Sequence, residues 1–137
     1  MEKRLTIQQI ANVTGLSVHA LRYYEKMGLL EGVSRNEHGY RQYSEADLSW
    51  IDFLLCLRDL GMTINEMKHY SDLRSQGVST LYPRRKLLEA HHEKVTAQIQ
   101  ERQQNLRKIE EKITLYKRLE EEAGNEGNEE SKERRSK

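Results

Sequence analysis

The sequence predicts a mainly α-helical chain: four short helices and a small hairpin, followed by one long terminal helix. Three observations predict it. A Ser or Thr flanked by apolar residues at helix-start spacing occurs four times, at Thr6, Ser17, Ser44 and Thr63. A turn-forming run from Asn36 to Gly39 leads into Tyr40-Arg41-Gln42-Tyr43, which suits a short strand. From Pro83 to Glu122 there is no glycine and no further proline, and apolar residues recur three and four apart.

The first helix starts at Thr6. Its hydroxyl is placed to accept an orphan amide, Gln9 closes a capping box, and Leu5 and Ile10 form the hydrophobic staple. Asn12-Val13-Thr14-Gly15 is expected to form a tight turn, with Gly15 free to take positive φ. The second helix is capped by Ser17, with Leu16 and Leu21 as its staple, and Gly28 suits a left-handed stop. Two short helices joined in this way form a helix-turn-helix, whose second helix is the reader. Leu21 packs inward, while Ser17, His19, Arg22, Tyr23, Tyr24 and Lys26 are candidates for DNA contact. Adjacent helical residues cannot face the same way, so one of Tyr23 and Tyr24 is expected in the core.

The hairpin around Asn36–Gly39 reads as a wing, with Tyr40, Arg41 and Tyr43 as further DNA candidates. Arg41 and Tyr43 share one face by the two-residue period. That face suits Arg41 to a phosphate or a minor groove, although spacing alone also allows a solvent-facing arginine. The third helix, capped by Ser44 with Asp47, carries Leu48, Trp50, Ile51, Phe53, Leu54, Leu55 and Leu57 almost all round. Such a helix is expected to be buried on most sides, as the hub of the domain. Thr63 and Glu66 open a fourth helix, with Met62 and Met67 as staple, and Gly77-Val78-Ser79 closes it.

In the terminal helix, Leu88, Val95, Ile99, Leu106, Ile109, Ile113 and Tyr116 trace a heptad seam broken by His92 and Arg102. At 1.5 Å per residue the helix would run on the order of 60 Å, longer than its own domain needs. It is expected to be a coiled-coil dimerisation arm, a sustained apolar stripe being unsuited to a solvated single helix. Beyond Ala123 no apolar residue remains, and disorder is expected. The expected domains are a winged helix-turn-helix DNA-binding domain over 1–78 with its helix pair, a coiled-coil dimerisation helix over 79–122, and a disordered tail over 123–137.

Composition sets limits on function. The 137 residues carry a formal net charge of +1, with 36% hydrophobic and 33% charged side chains. DNA binding must therefore come from local placement of Arg, Lys and Tyr rather than from a global field. No apolar run reaches membrane-spanning length and the start lacks a secretory core, so a cytoplasmic protein without membrane association is expected. A single cysteine, Cys56, excludes an internal disulfide framework or an all-cysteine metal site within one chain. Adjacent His91 and His92 point in different directions from one helix and make poor joint ligands. They are expected to be exposed or seam-filling. No metal and no cofactor are expected. No catalytic constellation stands out, so an enzyme is not expected. A coiled-coil adaptor remains the rival class, but it would leave the Arg22-Tyr23-Tyr24 helix and the wing without purpose.

Leu21-Arg22-Tyr23-Tyr24-Glu25 with Gly28-Leu29, then Gly39-Tyr40-Arg41-Gln42-Tyr43, then Leu60-Gly61-Met62-Thr63-Ile64 together resemble the MerR family of transcriptional regulators. The resemblance runs to about Glu122. It implies an antiparallel coiled-coil homodimer on one pseudo-palindromic promoter site within an unusually long spacer. It also implies inducer-driven bending and untwisting that realigns the promoter for RNA polymerase. The metal-sensing members' cysteines have no counterpart near Pro83-Arg84-Arg85-Lys86 or in the residues after the long helix, and a large drug-binding domain is not expected.

Cys56 resembles the lone cysteine of the branch that responds to aldehydes and other thiol-reactive electrophiles. Two readings of it stand. As a sensor, it would take a small electrophile within a close-packed hub. As an ordinary small hydrophobe, it would be buried core, leaving the effector unknown. Helical spacing places Asp52 and Asp59 on its side, where carboxylates favour the neutral thiol.

Overall fold

The computed structural model describes the backbone of residues 4–135 and the side chains of residues 4–127. The elements are α1 (Ile7–Thr14), α2 (Val18–Lys26), β1 (Ser34–Arg35), β2 (Arg41–Gln42), α3 (Glu45–Asp59), α4 (Ile64–Ser75), a 3₁₀ turn (Val78–Thr80) and α5 (Leu81–Arg135). The chain divides into two compact units, one up to His91 and one from His92 onward.

All four predicted caps form. Thr6, Ser44 and Thr63 each accept the amide three residues on, with Gln9, Asp47 and Glu66 reaching back to close capping boxes. Ser17 accepts from the Ala20 amide at 3.0 Å. A cap of this kind contributes about 1 kcal/mol. One boundary differs from the expected one: α1 continues through Thr14, whose hydroxyl donates back to the Ile10 carbonyl at 2.7 Å. The turn is therefore Gly15-Leu16-Ser17, with Gly15 at φ 78°.

The core of the first unit brings Ile10 and Ala11 of α1, Leu21 of α2, and Leu29 and Leu30 together with Trp50, Ile51, Leu54 and Leu57 of α3. Met62, Met67 and Tyr70 complete it. Trp50 ties the connection after α2 to the hub: its indole N–H donates to the Leu29 carbonyl at 2.7 Å, and its ring stacks on Tyr70 at 5.8 Å. Gly28, at φ 80°, makes the turn that brings Leu29 there. The expected all-round burial of α3 is incomplete. Phe53, Cys56 and Leu60 are exposed beside Asp52 and Asp59, so α3 has one open face, apolar in part.

The wing is smaller than its sequence suggested. β1 and β2 pair antiparallel over two residues each, Ser34 opposite Gln42 and Arg35 opposite Arg41. Tyr43 does not belong to it. Its backbone exchanges two hydrogen bonds of 2.8 Å with Leu5, which ties the start of the chain to the base of the wing.

The first eleven residues of α5 fall in the first unit. Leu87 and Leu88 pack on its core, so Leu88, expected in the seam, serves the globular unit instead. His91 is buried, correcting the expectation of an exposed or seam-filling side chain. A carbonyl can only accept, so its Nε2–H donates to Leu60 at 3.0 Å. The boundary thus falls thirteen residues beyond the expected end of the domain at 78.

In the second unit Ile99, Leu106, Ile109, Ile113, Tyr116 and Leu119 are 44–56% exposed along a single helix. The helix also runs through the stretch expected to be disordered, as far as Arg135, and residues 136–137 lie outside the described part. Gly124 and Gly127 each disfavour helix by about 1 kcal/mol relative to Ala, but no proline follows Pro83 to interrupt the ladder.

Candidate nucleic-acid interface

α2 presents two chemically distinct faces. Leu21 is fully buried, and Tyr24 is half-buried against the core, its hydroxyl accepting from Arg58 Nη1 at 3.4 Å. Tyr24 is therefore the packing member of the tyrosine pair. His19, Arg22, Tyr23 and Lys26 are exposed and recur at three- and four-residue spacing, which places them on one face. Lys26 stands in the last turn, where a cation is favoured by the helix dipole. Ser17 is exposed, its oxygen engaged as the cap.

The wing meets this helix through charge. Asn36 Oδ1 accepts from the amides of His38 and Tyr40 at 2.9 and 3.0 Å, which shapes the tip, and Tyr40 is left 70% exposed. Arg35 Nη1 donates to the Gly39 carbonyl at 3.0 Å. Arg41 is not a free solvent-facing side chain but is held at one end: its Nε donates to Glu25 Oε2 on α2, with both side chains about one-quarter exposed. Arg35 Nη2 lies 3.9 Å from the other Glu25 oxygen. Between the start of α1, α2 and the wing lies an open cleft of about 270 Å³ lined by Arg4, Ile7, Arg22, Tyr40 and Arg41 among others. An anionic backbone entering it would meet three arginines.

Tyr43 is not available for contact, which corrects its place among the DNA candidates. It is fully buried and its hydroxyl has no hydrogen-bond partner among the described residues. Burial, then the nearby Glu25 carboxylate, pushes its pKa above the ordinary value. The two-residue period placed it beside Arg41, but the Leu5 pairing takes the strand out of the hairpin at this residue.

Cys56 is exposed on the open face of α3, which removes both the buried-core reading and the premise of a close-packed site. Among the described residues no group of three or more His, Cys, Asp or Glu side chains could hold a metal ion.

Sequence reasoning missed Glu25 and Arg35 as parts of this surface. Spacing alone did not give the Arg35 position: a turn over 36–39 would put Arg35 opposite Tyr40, whereas the ladder pairs it with Arg41. Glu25 carried no signal, because its partners come from another element.

A reader helix with an exposed His, Arg, Tyr and Lys, flanked by a wing bearing two arginines, defines a winged helix-turn-helix DNA-binding protein. The chain belongs to the MerR family of regulators. Residues 5–73 match the family model for MerR HTH family regulatory proteins, and residues 48–112 match the MerR DNA-binding model. A helix-turn-helix-type transcriptional regulator of Haemophilus influenzae is 34% identical over 113 residues, covering 82% of this chain and 84% of that protein. The regulator AdhR of Bacillus subtilis is 38% identical over 84 residues, 61% of this chain and 60% of that one. Among solved structures, HiNmlR, a MerR family regulator lacking the sensor domain and bound to promoter DNA, has a TM-score of 0.78. It is 33% identical, covering 85% of this chain and 92% of HiNmlR. The chain is thus a DNA-binding transcriptional regulator of MerR type, and these relatives are regulators rather than enzymes. No described helix is long and apolar enough to cross a membrane.

Proposed function

We propose that the chain acts in the cytoplasm as a homodimer that binds a pseudo-palindromic promoter site and distorts it to control transcription by RNA polymerase. The observation that carries this reading is the exposed face of His19, Arg22, Tyr23 and Lys26 beside the wing arginines. In it, Arg22 reads base edges, and Arg41 and Tyr40 contact phosphate. The bare stripe from Ile99 to Leu119 supports pairing of two terminal helices, because six large side chains half-exposed on one helix call for a partner. Promoter binding by HiNmlR supports the target class. Indirect readout supplies the control: distorting the DNA costs energy, and an effector changes which distorted state is favoured.

The test is binding of wild type, Arg22→Ala and Arg41→Ala to the DNA upstream of the protein's own gene, across a salt series. Losing a base-reading Arg22 should cost about 1–3 kcal/mol and relax specificity, while losing a phosphate contact at Arg41 should weaken all sequences alike. Unchanged binding by both variants would refute the assignment.

For the effector, Cys56 is the input we favour. Its exposure supports this, since an electrophile can reach the sulfur without unfolding the helix. Adduct formation on α3 would alter the surface of the helix between wing and terminal arm. Wild type and Cys56→Ser, each exposed to an aldehyde or a diamide-type oxidant, separate the readings. Induction lost in Cys56→Ser together with a mass shift in wild type is expected. Equal induction in both leaves the effector elsewhere.

A further inference from the structure

We infer that Glu25 is a positioning residue for DNA binding, holding the two wing arginines in register so that Arg41 presents its terminal nitrogens to a phosphate. The inference rests on the reading of Arg41 as a phosphate contact and adds a residue to it.

Glu25 is at first sight misplaced. It is a carboxylate on α2 next to a surface that meets a polyanion, where its own field opposes binding. Three observations explain it. Arg35 and Arg41 stand directly opposite each other on β1 and β2, and like charges in that relation push a hairpin apart. Glu25 meets both, Arg41 Nε on Oε2 and Arg35 Nη2 at 3.9 Å from Oε1, so one carboxylate relieves the repulsion across the ladder. A two-residue ribbon is also too short to hold its own orientation, and these ion pairs fasten it to the reader helix.

The geometry of the Arg41 contact is the third. The bond to Glu25 uses Nε, and no described residue pairs with the Nη groups. A guanidinium held at Nε keeps two N–H groups on each Nη for a phosphate, which an arginine can grip with two parallel bonds. Only one-quarter exposed, Arg41 also loses less conformational freedom on binding than a free surface arginine would.

The sign of the effect makes the test. If Glu25 acted only through its charge, removing it would strengthen binding. If it positions Arg41, removing it weakens binding. Wild type, Glu25→Ala, Arg41→Ala and the double variant are titrated as full-length chains against a mixed-sequence duplex over a salt series. Phosphate contacts affect all sequences alike, so no operator is needed. Glu25→Ala should bind about tenfold more weakly, and its salt slope should fall by about one unit. In the Arg41→Ala background the same change should cause no further loss, the mark of two residues acting as one. A folded Glu25→Ala that binds as tightly as wild type or more tightly, beside a weakened Arg41→Ala, overturns the positioning role alone. An Arg41→Ala that binds normally overturns the phosphate contact itself. Should circular dichroism show Glu25→Ala unfolded, Glu25→Gln, which removes the charge at nearly constant shape, is judged by the same criterion.

Discussion

The two units of the chain bury their apolar side chains in opposite degree. In the first, thirteen hydrophobic residues from Ile10 to Tyr70 are buried, and the 3.6-residue and capping patterns are satisfied within one chain. In the second, Leu106, Ile109 and Tyr116 are each more than half exposed on a helix whose described ion pairs, such as Arg118 with Glu122 at 3.9 Å, lie along its own surface. The difference teaches where each half gets its stability. The first unit buries most of its apolar side chains within itself, while the second carries an exposed apolar stripe that the proposed dimer would cover. Helices of this polarity draw little stability from propensity alone.

The largest expected effect breaks the second region and spares the first. Leu106→Asp combined with Ile109→Asp puts two charges into the proposed seam, and an unpartnered buried charge is strongly destabilising. Sedimentation should show monomers, and operator binding should fall by orders of magnitude because two-site avidity is lost. Trp50 fluorescence should stay native, since its contacts with Leu29 and Tyr70 lie in the first unit. A wild-type chain that sediments as a monomer at micromolar concentration would remove the contrast itself.

A smaller effect probes the first region. Leu21 is fully buried on the inner face of α2, and Leu21→Ala should destabilise by about 2–5 kcal/mol through lost transfer energy and a cavity. The loss should be read in urea at two protein concentrations. Independence from concentration is expected for the first unit's melting, whereas helix content from the second should follow concentration by mass action. If both transitions shift together with concentration, the first unit is not self-contained.

The same contrast explains what was legible in the sequence. Each cap is a local event within four residues, so Thr6, Ser17, Ser44 and Thr63 could be placed from spacing, and the motifs from Leu21 to Tyr43 identified the reader and wing. What failed depended on contacts between elements. Tyr43 looked like a wing residue until Leu5 paired with it, and Leu88 fitted the heptad although it packs on the globular core. His91 gave no sign of the Leu60 carbonyl thirty-one positions away. Cys56 sat in an apolar run, which suggested burial, yet α3 leaves that face open. Periodicity reports which residues share a face and is silent on what covers it.

The smallest effect concerns a single oxygen. Tyr43 is fully buried and its hydroxyl lacks a partner among the described residues, so it stands as a desolvated group without compensation there. Leaving such a group unpaired costs about 1–3 kcal/mol, and Tyr43→Phe removes it while keeping the ring. The variant should be as stable as wild type or more stable, by up to about 1 kcal/mol given imperfect relaxation. DNA affinity should be unchanged, because the side chain does not reach the surface. A pH series adds an independent check. Burial and the Glu25 carboxylate raise the folded-state pKa above the ordinary 10.0, so above that pH the unfolded chain gives up a proton that the folded chain keeps. Stability therefore falls as pH rises past the unfolded value, and Tyr43→Phe should lack that part of the alkaline loss. A destabilised Tyr43→Phe would mean that an enclosed water satisfies the hydroxyl. Weakened DNA binding in a stable variant would return Tyr43 to the interface, and the wing would then be more open in the bound protein than in the free one.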